Sequence, residues 1–473
     1  MSAGSLPLVE EIAPAIDVAT ALRALADWPT VLLFDSALLR EPVGRYSFLT
    51  ADPFQFETLS ASDLARARLQ GDPLQKLRES LSRHPMATVP GLPPFQGGAA
   101  GLLSYDLGRA WEQIPTARHD EFQLPALAVG LFDWVLAWDH VVGKCWIISQ
   151  GLPETEISRR QSRAEERLNR VRTALKNPPQ NPFAWRPGKR VETYPQTPAP
   201  GLPELTSNFT RDGYLAAVAR AIEFIHAGDI FQVNLSQRLL YPQRESPLEL
   251  YLRLRKRNPA PFAGYFAHDG WVVASASPER FVAVRAGEVE TRPIKGTRRR
   301  AAAPEADLFV RDELRESEKD LAENVMIVDL LRNDLSRVCQ PGSIRVPGLC
   351  RVETYETVQH LVSEVRGRLR EGKSSWDLFA AAFPGGSITG APKIRAMEII
   401  AELEPTARGP YCGSLFYVGF DGTADSNILI RTFTIHDGWI QCPVGGGIVA
   451  QSDPAGEYAE TLHKAEGMLR ALR

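Results

Sequence analysis

Gly264–Ser277 reads GYFAHDGWVVASAS, two runs of aromatic and β-branched residues on either side of His268-Asp269-Gly270. Such residues favour a pleated strand, and an Asp-Gly pair supplies a turn. Short strands bounded by turns favour antiparallel pairing over a regular βαβ repeat. Similar runs recur along the chain: TVLLFDS (Thr30–Ser36), ALAVGLFDWVLAWD (Ala126–Asp139), CWIISQ (Cys145–Gln150), SNILIRTFTIHDG (Ser426–Gly438) and WIQCPVGGG (Trp439–Gly447). Between them lie helical patterns with an apolar stripe of period 3.6: Glu154–Lys176, Arg211–Asp229, Ser317–Leu335, Ala391–Leu403 and Gly456–Leu472. Pro392 suits the first position of the fourth of these. The expected class is α+β.

Asn177–Pro203 carries eight prolines, which remove donors and hold the backbone extended. This places a boundary or crossing loop at 177–207, between a region at 1–176 and a second at 208–473. With 44% hydrophobic and 23% charged residues over 473 positions, the chain has the composition of an ordinary globular protein. A formal net charge of -3 offers no basic footprint for nucleic acid or a membrane surface. No apolar run reaches the length of a membrane span, and no signal-peptide pattern opens the chain, so a cytoplasmic location is expected. The five cysteines are widely spaced without a C-x-x-C pair, and they read as reduced small hydrophobes.

Several segments carry chemistry. Glu316, Asp320, Glu323 and Ile327 recur at helical spacing, and Glu457 and Glu460 share a face of the last helix. Two such carboxylate groups suit one hard cation through oxygen ligands, or intrahelical salt bridges, Glu460 to Lys464 among them. FPGGSITGAPK (Phe383–Lys393) fails as a Walker loop because Ala391-Pro392 stands where Lys-Ser/Thr is needed. Its glycines, Ser387, Thr389 and the following helix start still favour an anionic oxygen. Gly445, Gly446 and Gly447 either let the backbone approach a ligand or mark a bend. Arg431, inside an apolar strand, needs an anionic partner, internal or bound. His360 sits among apolar residues as a core histidine or a catalyst. Glu279, in SPERF, precedes Lys295, in RPIKGT, by sixteen residues. They form an ion pair or an acid and a nucleophile tuned by shared burial.

IFQVNLSQR, SPERF, RPIKGTRRR, AENVMIVDLLRNDLSRV, HLVSEVRG, AAFPGGSITGAPKIRAMEII, GPYCGSLFYVGFDG, IRTFT, GGGIVA and EYAETLHKA, in this order over residues of about 210 to 472, resemble the motifs of the chorismate-utilising enzymes. GRYSFLTADP and GGAAGLLSYDLGR extend the resemblance more loosely into the N-terminal region. The family implies two large antiparallel sheets sandwiched together, with helices packed outside. Within it, P-I-K-G-T resembles the aminodeoxychorismate synthases, whereas anthranilate synthases have alanine at the position of Lys295. Members that add water carry a lysine where this chain has Gln232.

That resemblance implies amination of chorismate at ring carbon 4. Lys295 would be the nucleophile and Glu279 the acid, with His360 an active-site member of unassigned role. It implies Mg2+ as cofactor on Glu323 and Glu460, with Glu457 and Asp320 beside them. Ser387, Thr389, Tyr411, Arg431, Gly445, Gly446, Gly447 and Lys464 would bind substrate. No cysteine stands in a G-x-C-x-G nucleophile turn, so a separate glutamine amidotransferase subunit is the expected ammonia source. Ser36, Tyr46 and Ser47 lie in segments resembling those where members bind tryptophan. The alternatives are an anthranilate synthase and a non-catalytic tryptophan-binding regulator.

Overall fold

The computed structural model describes residues 6–39, 43–178, 188–301, 303–354 and 358–473. The Gly264–Ser277 stretch is the expected hairpin, with Phe262–His268 antiparallel to Trp271–Ser277 and His268 opposite Trp271 across the turn. It lies in the middle of the larger sheet. Phe262–His268 pairs on its outer side with Val31–Asp35, and Trp271–Ser277 pairs with Thr432–His436. A strand from early in the sequence is therefore welded into a sheet made mostly by the second half. Part of the Pro-rich 177–207 segment falls outside the described residues.

Among the described residues that sheet has thirteen strands and its partner ten. From Val31–Asp35 the first continues through Tyr46–Thr50, Trp134–Asp139, Lys144–Ser149 and Leu8–Glu11. From Thr432–His436 it continues through Trp439–Ile448 and Gln232–Pro242. The second sheet runs Ile294–Arg299, Val358–Arg368, Glu288–Thr291, Arg280–Arg285, Ala424–Asn427, Ser414–Gly419, Gly98–Leu103, Leu127–Phe132, Gln55–Leu59. Each pairing named here is antiparallel. The architecture is the α+β sandwich of two large antiparallel sheets that the sequence led us to expect.

The sheets face each other through aromatic and branched side chains. Phe34 and Phe48 of the first meet Tyr417 of the second, with ring centroids 5.4 and 5.6 Å apart. Packing is close enough that a methyl group on Gly264 would meet Leu415 Cδ1 at 2.8 Å. At Gly264 interdigitation at this density leaves no room for a side chain.

Three of the short segments that carry the chain from one sheet to the other matter most here. ALAVGLFDWVLAWD looks like one strand in sequence but divides at Asp133, with Leu127–Phe132 in the second sheet and Trp134–Asp139 in the first. The Asp133 carboxylate is fully buried against Arg167 at 3.3 Å and Arg163 at 3.6 Å. Trp271–Ser277 leaves the first sheet and Arg280–Arg285 enters the second, so Pro278 and Glu279 form the second crossover. Ala424–Asn427 gives way to Thr432–His436 through Ile428–Arg431, the third.

Three of the differences between helix ends and the sequence reading have a clear local cause. The long N-terminal helix is Ile157–Lys176, because the Glu156 carboxylate accepts from the Ser158 and Arg159 N–H groups and caps it. Glu316 ends the Pro304–Glu316 helix, since Ser317 caps the Glu318–Ser336 helix through the Asp320 N–H. Glu316 thus leaves the carboxylate stripe that spacing placed it on. Pro392 is the cap of Lys393–Leu403, one position before its expected place, with extended backbone.

Gly101 tests the sheet register. A Cβ there would meet Ala128 O at 2.1 Å and Val129 Cα at 2.8 Å, so alanine must pry apart the Gly98–Leu103 and Leu127–Phe132 strands. We expect Gly101→Ala to destabilise by about 2 kcal/mol or more, read as a lowered thermal melting point.

Candidate active site

The second and third crossovers lie against each other. Ile428 N–H donates to Glu279 O at 3.0 Å, and Ser277 Oγ donates to Ile428 O at 2.6 Å. These bonds satisfy backbone groups that left their ladders at the crossing. They also fix Glu279 and Arg431 as neighbours. Arg431 does not lie inside the strand as its sequence context suggested: it precedes Thr432 and has φ 51°, a conformation unusual for a bulky residue. Burial holds its guanidinium below the usual arginine range, and the Glu279 carboxylate opposes that shift.

Glu279 is 5% exposed. Burial pushes its carboxyl up to about 7, against the pull of the Ser387 hydroxyl, Lys295, the Ile294 N–H and Arg431. Ser387 sits on the Gly386–Ile388 turn of the glycine-rich loop and serves two groups. Its hydroxyl donates to Glu279 Oε1 at 2.8 Å, and its carbonyl accepts from Lys295 Nζ at 3.2 Å. A carboxyl and an amine separated in sequence thereby meet across one serine. Lys295 is partly buried on the Ile294–Arg299 strand. Burial lowers its pKa, and Glu323, Glu279 and Glu460 pull it back up.

The carboxylates come from two helices. Glu323 projects from Glu318–Ser336; burial raises its pKa and Lys295 lowers it. Glu457 and Glu460 project from Pro454–Leu469. A methyl group on Gly446 would lie 3.2 Å from Glu457 Oε2, 3.5 Å from Glu460 Oε1 and 3.6 Å from Lys464 Nζ. Glu457 accepts from Ser452 Oγ at 2.6 Å, and Glu460 pairs with Lys464 at 2.6 Å. Asp320 is engaged elsewhere, by Arg298 at 3.0 Å.

Glu323 and Glu460 act on Lys295 from different helices, and Glu323 has no hydrogen-bond or ion-pair partner among the described residues. Hard oxygen donors left partly uncompensated on two helices fit a divalent ion of the magnesium type, which takes one or two carboxylates and completes its shell with water and an anionic substrate.

Gly445, Gly446 and Gly447 lie on Trp439–Ile448 opposite Ser236, Leu235 and Asn234. Lys464 Nζ also donates to Gly445 O at 3.0 Å. Tyr411 is buried, with its ring centroid 6.0 Å from the Arg408 guanidinium. The Thr389 hydroxyl turns back into its own loop, donating to Gly385 O at 3.0 Å. His360 is 3% exposed on Val358–Arg368, opposite Glu353 and Thr297 in register.

Sequence reasoning named Gln232 only through the family resemblance and passed over two further features. Gln232 is fully buried with both amide atoms lacking a partner, and a Cβ on Gly447 would meet its Nε2 at 2.2 Å. Its signal was a polar residue opening an apolar strand. Asn234 donates through Nδ2 to Ser387 O at 3.2 Å. The buried Glu404–Arg408 pair stands behind both, and its signal was two opposite charges at i, i+4 in AELEPTARGPY.

A separate cavity of about 530 Å³ opens between the sheets, lined by Phe34, Ser36, Tyr46, Arg280, Tyr417 and Asn427 among others. Lys295 and Glu279 are not in its wall. Ser36 and Tyr46 line it, while Ser47 stands behind, accepting from Ser36 N–H at 3.0 Å and bonded to His140 Nε2 at 2.8 Å. Asp35, beneath, receives Tyr251 Oη at 2.8 Å and Arg255 Nε at 2.6 Å.

Among the described residues no helix is long and apolar enough to cross a membrane. The chain is 43% identical over 444 residues to anthranilate synthase component 1 of Streptomyces coelicolor, covering 93% of this chain and 83% of that one. It is 41% identical over 454 residues to aminodeoxychorismate synthase component 1 of Salmonella typhimurium, covering 94% and 93%. The crystal structure of anthranilate synthase component I from Streptococcus pneumoniae superposes with a TM-score of 0.77 at 31% identity, covering 92% of this chain and 94% of that one. Residues 35–470 match the model of the chorismate binding enzymes, and the chain belongs to that family.

Proposed function

We propose that the chain aminates chorismate at ring carbon 4 to give 4-amino-4-deoxychorismate, with Lys295 as nucleophile and Glu279 as acid. The observation that carries this reading is Ser387, which holds the Lys295 amine and the Glu279 carboxyl on its carbonyl and hydroxyl. The relatives named above include both amination types, so their identities favour neither. Residue 295 does, because the anthranilate branch resembles this chain with an alanine there.

Chorismate is a dicarboxylate whose allylic hydroxyl leaves poorly, so its site needs neutralised charge, a proton donor and a nucleophile. Burial supplies the last two together: it favours the neutral acid of Glu279 and the neutral amine of Lys295. The Lys295 amine forms a bond to ring carbon 2. Both double bonds of the ring diene shift, and the carbon 4 hydroxyl departs as water with the Glu279 proton. Ammonia then bonds to carbon 4, both double bonds return, and the Lys295 nitrogen leaves with its electron pair, keeping the protons it had before addition. The proton lost by the added ammonia restores Glu279.

Arg431 and Tyr411, with the Gly445–Gly447 backbone, bind the enolpyruvyl carboxylate. Glu323 and Glu460 would hold Mg2+, flanked by Glu457, and the ion would supply Lewis-acid polarisation at the ring carboxylate. The ammonia comes from a separate glutamine amidotransferase subunit. The large cavity beside Ser36 and Tyr46 takes tryptophan.

Incubation with chorismate, Mg2+ and an ammonium salt at mildly alkaline pH, followed by liquid chromatography and mass spectrometry, is expected to yield 4-amino-4-deoxychorismate. Anthranilate would assign the chain to the other branch. Glu279→Gln should lower kcat by about 10²-fold or more with chorismate binding retained. Without ammonia, a chorismate-derived adduct on Lys295 should survive denaturing mass spectrometry; its absence under turnover-competent conditions rejects the covalent step.

The pH response has a defined sign. The Ser387 hydroxyl stabilises the Glu279 carboxylate, so Ser387→Ala should move that ionisation above its present value of about 7, read from the pH profile of kcat/KM. Calorimetric titration with tryptophan should give one site per chain that Ser36→Phe removes; equal heats for parent and variant would reject the cavity as that site.

A further inference from the structure

We propose that the buried Arg408–Glu404 ion pair is a positioning device that sets Ser387 between Lys295 and Glu279. The inference rests on the reading that those two residues carry the chemistry, and it assigns a role to a pair that touches neither. Arg408 is 7% exposed and Glu404 4%. The guanidinium Nε donates to Glu404 Oε2 at 2.8 Å and Nη2 to Oε1 at 2.6 Å, a two-pronged contact. Below it the Tyr105 ring lies 4.6 Å away.

What distinguishes this pair from a core salt bridge is where its other bonds end. Arg408 Nη1 donates to Ile388 O at 3.1 Å, next to Ser387 in the loop. Nη2 donates to Asn234 O at 2.7 Å. Glu404 Oε1 accepts from Ser236 N–H at 2.8 Å and Ser236 Oγ at 2.9 Å. The pair thus grips the glycine-rich loop and the Gln232–Pro242 strand at once. Those two segments are the ones joined by Asn234, whose N–H donates to Thr389 O at 2.8 Å and whose Nδ2 donates to Ser387 O. The Ser387 carbonyl that receives Lys295 is fixed from behind by this assembly, and its hydroxyl is carried with it. Apolar residues would fill such a core at less desolvation cost. A guanidinium is needed where one rigid fork must reach a carboxylate and two backbone carbonyls together.

Loosening the grip should act on kcat and on the ionisation of Glu279, with little effect on ground-state binding. The groups facing Glu279 are the Ser387 hydroxyl, Lys295 on the Ile294–Arg299 strand, Arg431 on the adjoining crossover and Cys412. Of these the pair bears on Ser387. Displacing its hydroxyl should move the ionisation in the same direction as Ser387→Ala.

The test compares Glu404→Gln and Arg408→Lys with the parent chain, in chorismate, Mg2+ and ammonium, after thermal melting has established that each is folded. We expect KM for chorismate within twofold of the parent, kcat at least tenfold lower, and the ionisation near pH 7 displaced upward. A folded variant with parental kcat and an unmoved pH profile overturns the proposal, as does one in which only KM changes. Should both variants fail to fold, Ser236→Ala removes a single hydroxyl from the assembly. A fall in kcat of about threefold with the same upward displacement supports the role, and a parental profile overturns it. The comparison uses the rate of whichever product the parent releases, so anthranilate would reject the proposed 4-amination and leave this inference standing or falling on its own.

Discussion

The site depends on two places where the chain abandons one sheet for the other. A strand that leaves its ladder exposes N–H and carbonyl groups that burial does not forgive. Here the second and third crossovers satisfy each other, Ile428 N–H to Glu279 O and Ser277 Oγ to Ile428 O. The pairing holds two irregular segments in register without a ladder. Glu279 and Arg431, an acid and a base that no regular strand would bring to one point, are neighbours as a consequence. The positive φ of Arg431 belongs to the same junction, and strain at such a place is tolerated because the flanking strands over-determine it.

Charge follows from that geometry. Lys295 lies among Glu279, Glu323 and Glu460, while Lys464 adds a like charge. Burial favours the uncharged lysine and the uncharged glutamic acid, and the pair's mutual attraction favours both charged forms. Neither influence is overwhelming, since the carboxyl of Glu279 settles at about 7 and not far above it. A carboxyl that ionises near neutral pH gives up its proton at little cost, which is what an acid-assisted displacement requires. The Ser387 hydroxyl shifts this balance toward the carboxylate, so its exact placement has chemical consequences out of proportion to one hydrogen bond.

Much of this was legible in the sequence where local chemistry decides the outcome. The Gly264–Ser277 hairpin follows from strand formers flanking Asp-Gly, and the helices follow from their apolar period. What sequence could not supply was direction change within an unbroken apolar run. ALAVGLFDWVLAWD offers Gly130 as readily as Asp133 for a turn, and at Asp133 the break is held by Arg163 and Arg167 arriving from a helix later in the chain. Arg431 looked like a strand interior for the same reason. Helix ends were misjudged where neighbouring residues competed for the cap: Ser317 took the start of its helix from Glu316, and Glu156 displaced Glu154. The Glu404–Arg408 pair was visible as spacing but silent as function, because its partners are backbone atoms of remote segments.

The same crossover also separates two binding spaces. Glu279 turns toward Lys295, while the next residue, Arg280, lines the large cavity, as expected when successive side chains point to opposite faces. Arg280 is held by Asp425 at 2.8 Å and by Glu290 at 2.7 Å. Glu290 continues to Arg366, Arg366 to Glu364, and Glu364 to Arg292, three residues before Lys295. An occupant of the cavity that displaced Arg280 would disturb Glu279 through the backbone and the Lys295 strand through these ion pairs. While the pairs stay formed, the junction resists such displacement, and the chemistry of one space is insulated from the contents of the other. Coupling between them therefore runs through a specific, partly exposed set of charge contacts, whose breaking is a discrete event and not a graded deformation of the sandwich.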